Sequence, residues 1–218
     1  MVALDIGRPE GPCRAGAGEH FLLDIPDTWG PVDAAGTALA RSRDRVLAET
    51  DDPGERARIV GMFWLGETVV RTARAHGDLL AVGTASRSAY GLFMAYGAVF
   101  RVTAPQEQPV VLSALSARLG VGAGGPPEDR VVACADVPRV GRVVRITATE
   151  VPLVPGDPDA RLLTMHTMMP VPGTPGSYFV VTLASPNVPM KEGVYDLFDA
   201  ITSTFRYPVG TGRPTACR

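Results

Sequence analysis

The chain of 218 residues has almost no lysine: Lys191 stands alone, and the other cations are arginines spread along the sequence. With 21 basic against 23 acidic residues, and a formal charge of −2, no basic excess of the kind that holds nucleic acid is present. A solitary lysine outside any Gly-x-x-x-x-Gly-Lys-Ser/Thr string also excludes a Walker-type phosphate loop. Cysteine is scarce. Cys13, Cys134 and Cys217 form an odd set with no C-x-x-C spacing, which argues against a disulfide framework and against a thiolate zinc site. Cys134, inside the apolar string Val131–Ala135, reads as a small buried hydrophobe. Long apolar runs are missing too. The longest, from Gly91 to Phe100, is half of a membrane span, so no membrane is expected as a partner. The opening residues, MVALDIGRPEGP, lack the basic and apolar regions of a secretory signal, and the expected compartment is the cytoplasm.

The motifs of catalysis are equally thin. No Gly-x-Ser-x-Gly string occurs, and the glycines at 120, 122, 124 and 125 run into Pro126-Pro127-Glu128-Asp129, where two carboxylates would repel a phosphate. Three histidines, His20, His76 and His166, belong to no metal-binding spacing. His166 alternates with Met165 and Thr167 and reads as a partly exposed histidine on a strand. No catalytic residue, cofactor or metal is expected.

What the sequence does have is periodicity. Phe21, Leu23 and Ile25 alternate as a strand, and Pro26–Gly30 turns the chain. Residues 33–49 carry helix formers behind Asp33. A stronger helix follows Asp52-Pro53-Gly54-Glu55, which combines an N-cap acceptor, a proline at the first helical position and a capping-box glutamate. Its stripe runs through Ile59, Phe63, Gly66, Val70 and Ala73, and Gly77 is placed to end it. Strands are predicted at 79–85, 92–103, 130–135, 142–151, 161–169 and 178–184, with a short helix at 107–119. The connections among the last four strands are short and rich in proline and glycine, so those strands pair antiparallel. A closing helix carries Val194, Leu197, Phe198, Ile201 and Phe205 on one stripe, with Asp196, Asp199, Ser203 and Thr204 on the face expected in solvent. Strands and helices are segregated rather than alternating. The expected fold is α+β, a single antiparallel β-sheet flanked by helices in an α/β/α sandwich over residues 19–207, with a flexible arm at 1–18 and a flexible tail at 208–218.

That layout, with the opening strand "FLLDIPDTW" and the closing "YDLFDAITSTFRYP", resembles the PsbP-like superfamily. The superfamily takes in the photosystem II extrinsic subunit P, the Ran-binding Mog-type proteins and the actinobacterial LpqN-type lipoproteins. The resemblance implies an actinobacterial α/β/α sandwich of accessory and binding type, with no shared catalytic residues. The chain departs from the LpqN type in showing neither signal nor lipobox.

The leading expectation is a non-enzymatic accessory or protein-binding module, with self-association as one form of partnership. A second is a small-ligand binder with a pocket between sheet and helices near Tyr90, Tyr96 and Met165; a third is an enzyme built on scattered residues such as Arg87, Cys134 and His166. Candidate contacts for a partner or ligand are Trp29, Arg87, Tyr90, Tyr96, Met165 and His166. Trp29 sits in the first turn. Tyr90 and Tyr96 each precede a glycine in an apolar strand, where a bend or a close approach to the backbone is expected.

Overall fold

The computed structural model describes residues 2–5, 20–31, 37–75, 80–88, 91–103, 126–152, 154 and 159–208. Nine strands fall in these segments: β1 (Val2–Asp5), β2 (Leu22–Ile25), β3 (Gly30–Pro31), β4 (Leu80–Ser88), β5 (Gly91–Thr103), β6 (Glu128–Val137), β7 (Gly141–Glu150), β8 (Leu162–Pro170) and β9 (Ser177–Ser185). The α-helices are α1 (Thr37–Ala48), α2 (Pro53–Ala75) and α3 (Lys191–Ser203), the last entered through a single 3-10 turn at Val188–Met190. The short helix expected at 107–119, the cap Asp33 and the stop at Gly77 lie outside the described residues.

Seven strands form one open antiparallel sheet in the order β3-β4-β5-β9-β8-β7-β6. The four strands predicted to pair in succession do so, and β9 then docks on β5, pairing Tyr96 with Ala184 and Thr103 with Ser177. β1 and β2 make a separate two-stranded ribbon. The pairing gives residues 2–5 a strand neighbour, inside the segment expected to be a loose arm.

Each face of the sheet carries its own layer. On one face β2 and α3 press Phe21, Leu23, Ile25, Val194, Phe198, Ile201 and Phe205 onto Leu163, Met165, Phe179 and Val181. Phe21 stacks on Phe205 at 5.4 Å between ring centroids. On the other face α1 and α2 lay Leu39, Ile59, Met62, Phe63 and Leu65 over Leu92, Met94, Tyr96 and Leu162. This is the expected α+β sandwich. The cap of α2 is built as predicted, with the Glu55 N–H donating to Asp52 Oδ2 at 2.7 Å.

One expectation about α3 is overturned. Thr204 is only partly exposed and its side chain is held by β2. Its hydroxyl accepts the Asp24 N–H at 2.9 Å and bonds the Ile201 carbonyl at 2.7 Å. Arg206 adds two 3.0 Å bonds, one to each oxygen of Asp24, while its backbone bridges to Leu22. The exit of α3 is thereby clamped to β2. The helix pattern missed this because Thr204 caps the helix rather than sitting within it.

Candidate functional site

The two edges of the sheet are built differently. β3 is two residues long and contains Pro31, which offers no N–H, so little there can pair with another chain. β6 is ten residues long, has neither proline nor lysine, and among the described residues pairs only with β7. Nearly all of it is exposed on both faces; Val131 is 55% exposed and Val132 53%, and Val144 on β7, paired with Cys134, is 39% exposed. A β-bulge between Glu128 and Val131 interrupts the register at its start, and from Val131 to Val137 the pairing with β7 is regular.

Cys134 lies in this regular part. It is free and exposed, not buried as its apolar neighbours suggest. The physical reason is position: α3 touches β6 at Asp129, through Lys191, and at the buried Val137, but between those points the outermost strand is uncovered and its apolar string stays in contact with water.

Inward from β6, a line of polar groups crosses the sheet face that carries α1 and α2. His166 on β8 is only 3% exposed, which corrects the expectation of a partly exposed histidine. β8 is an inner strand with both faces covered, and every residue from Leu162 to Met169 is buried. His166 Nδ1 lies 2.9 Å from Thr182 Oγ1 on β9, while Nε2 has no hydrogen-bond partner. Burial, with a lesser contribution from the Arg130 charge, pushes its pKa down to about 4. Glu150 on β7 moves the other way. Burial raises its carboxyl, against the opposing pull of Arg130 and a hydrogen bond with Thr164.

A cleft of about 340 Å³ opens elsewhere, where Arg58, Met62 and Leu65 of α2 meet Leu92, Ala160 and the turn Val188–Met190. Asn187 fixes its floor. Its side chain donates to the Leu92 carbonyl at 2.7 Å and accepts the Met94 N–H at 2.8 Å, prolonging the contact between β9 and β5 past the end of β9.

The residues singled out from sequence are scattered by the fold. Trp29 is buried in the α3-side core, its ring against Gly97, where an added Cβ would lie 3.5 Å from the indole and 2.9 Å from Leu183. At Gly97 the expected close approach is therefore made by the chain's own side chains, whereas nothing lies within 4 Å of a Cβ at Gly91. Tyr96 faces the opposite layer and donates to the Met62 carbonyl at 3.1 Å. Met165 is in the α3-side core, so Tyr96 and Met165 lie on opposite faces of the sheet and line no common pocket. Arg87 belongs to β4; Tyr90 lies outside the described residues. Cys134 and His166 are separated by β7, two strand spacings or roughly 10 Å apart, and do not meet. Among the described residues no group of three or more His, Cys, Asp or Glu could hold a metal ion, and no helix is long and apolar enough to cross a membrane.

Sequence reasoning missed the β6 edge. A run of five apolar residues reads as a strand buried on both sides, and nothing in its pattern distinguishes an inner strand from an outer one. The available signal was the absence of lysine and proline, the residues that commonly protect an edge.

No family model matches the chain, and no curated protein matches it in sequence. Six chains of solved structures match. One is the crystal structure of LpqN, a protein involved in cell envelope biogenesis of Mycobacterium tuberculosis, at 9% identity and a TM-score of 0.42, covering 95% of this chain and 91% of that one. A likeness of that degree bears no argument about function.

Proposed function

We propose that the chain is a non-enzymatic accessory domain that binds protein, and that it does so by strand pairing along β6. The observation that carries this reading is the unprotected edge: ten residues of strand, with Val131 and Val132 more than half exposed and one side of the backbone without a neighbour among the described residues. An extended segment laid there gains main-chain hydrogen bonds from the edge and apolar contact from the two valines. The exposed thiol of Cys134 suits a reducing compartment and supports the cytoplasm as the place of action.

Photocrosslinking in living cells tests the reading. A benzophenone side chain placed at Val132 should give a crosslinked species of defined mass, and the same group placed at Asp196, exposed on α3, should not. Equal background from both positions would remove β6 as the binding surface.

The cleft beside α2 supports a second reading, a small-ligand binder, since its volume lies within the range of such sites. In a fragment screen by protein-observed NMR, hits of that kind should shift the amides of Met62, Leu92 and Ala160 together. A screen with no hit that moves all three would end the second reading.

A further inference from the structure

Resting on the reading of β6 as a docking edge, we infer that its occupant is β6 of a second copy of this chain, paired antiparallel about a two-fold axis through Ala133, so that two seven-stranded sheets become one. A two-fold axis normal to the sheet maps each face onto itself, and residues opposed across it therefore share parity. With the axis at Ala133, Arg130 stands opposite the second copy's Asp136, and the symmetry makes that opposite-charge pair twice. Between those pairs Val131 meets Ala135 and Val132 meets Cys134, apolar against apolar. The neighbouring registers lose this match. With the axis at Val132, Glu128 opposes Asp136, carboxylate against carboxylate; with the axis at Cys134, Asp136 opposes Val132 and Arg130 opposes Pro138. Charge thus selects one register out of three.

The geometry of β6 agrees with this choice. The irregular stretch lies between Glu128 and Val131, so the apolar pairs Val131–Ala135 and Val132–Cys134 fall in the regular part of the strand, and Arg130 meets Asp136 from the rim of the bulge. Arg130 already acts on Glu150 and His166 within its own chain. A guanidinium carries five donors and can serve an intramolecular carboxylate and a second one across the interface.

Sedimentation velocity on the full chain, over a dilution series, reads the assembly directly. The expected result is a reversible monomer–dimer equilibrium. Arg130→Asp and Asp136→Arg should each weaken it by about tenfold or more, because like charges then oppose one another twice. The double variant should restore it. In a Cys13→Ser, Cys217→Ser background, Val132→Cys should give a dimer under mild oxidation, with the new thiol linked to the second copy's Cys134 by mass spectrometry of the joined peptides. Three results overturn the proposal: a wild-type monomer at every concentration, a double charge swap that fails to restore the dimer, or oxidation that joins Cys134 to Cys134 in the Val132→Cys chain. The two readings fail separately. A monomer in the centrifuge, with a crosslink from position 132 to a different protein, ends self-pairing and leaves protein binding standing; a monomer with no crosslink ends both.

Discussion

His166 holds its imidazole among buried strands, where a positive charge has lost its water and faces the like charge of Arg130. In the unfolded chain the ring titrates near 6.5, and in the folded chain at about 4. Between those values the unfolded chain binds the extra proton and the folded chain does not, so stability rises with pH across the window and is complete above it. The gap is worth about 3 kcal/mol at roughly 1.4 kcal/mol per pH unit. Glu150, with its raised carboxyl, contributes in the opposite sense, so the comparison has to be made against a variant. Chemical denaturation at pH 7 and at pH 4 should show that His166→Gln loses markedly less stability than wild type on acidification; identical losses would show that the ring is not held neutral. Gly66 is a second case in which one residue decides. In a helix interior alanine is favoured over glycine by about 1 kcal/mol. At Gly66 a Cβ would sit 2.3 Å from the Tyr96 ring, which is itself tied to the Met62 carbonyl. The clash wins, and Gly66→Ala should lower the melting temperature, with a net cost of about 1–3 kcal/mol. Gly66 was legible as part of the helical stripe, because its period is local. The ring it accommodates was not, because Tyr96 arrives from a strand thirty residues further on.

At the scale of the element, α3 behaves as its stripe predicts, with Val194, Phe198 and Ile201 buried and Phe205 closing the core just beyond the helix. Ile201→Ala should cost about 2–5 kcal/mol in urea denaturation, from lost transfer energy and the cavity left behind. Ile201→Asp should leave the chain mostly unfolded, given domain stabilities of about 5–15 kcal/mol. What the stripe does not convey is how the ends of the helix are held. Arg145 on β7 forms an ion pair with Asp199 and donates to Thr202 Oγ1 at 3.0 Å, and Thr204 and Arg206 clamp the exit to β2. Replacing Thr204 by Ala should cost about 1–3 kcal/mol, since the Asp24 N–H loses its acceptor. Asp196→Ala, on the exposed side of the same helix, should change stability by less than about 0.5 kcal/mol. If the two variants melt alike, the clamp has no energetic role. Amphipathic periodicity reports which side of an element is buried; it carries no information about partners 180 residues away in the chain.

At the scale of the whole molecule, segregated strands and helices and short turns were enough to give the α+β class and the antiparallel pairing of β6 to β9. The order of the sheet was not legible, because the placement of β9 between β8 and β5 depends on how two halves of the chain meet. That placement is what pushes β6 to the rim and β8 to the interior. It accounts together for the exposure of Cys134 and the burial of His166, both of which their own neighbours in sequence describe wrongly.

The clamp between β2 and the exit of α3 also sets an order of events during synthesis. Phe21, Leu23 and Ile25 leave the ribosome well before the residues that cover them, from Val194 to Phe205, which follow some 170–180 residues later. At about 5–20 residues per second, roughly 10–40 s separate the two. Throughout that interval the nascent chain displays an apolar strand that its covering helix has not yet reached, a substrate for chaperones that hold apolar segments. Completion of this core waits for Val194–Phe205 to emerge, long after the strands it covers have been made.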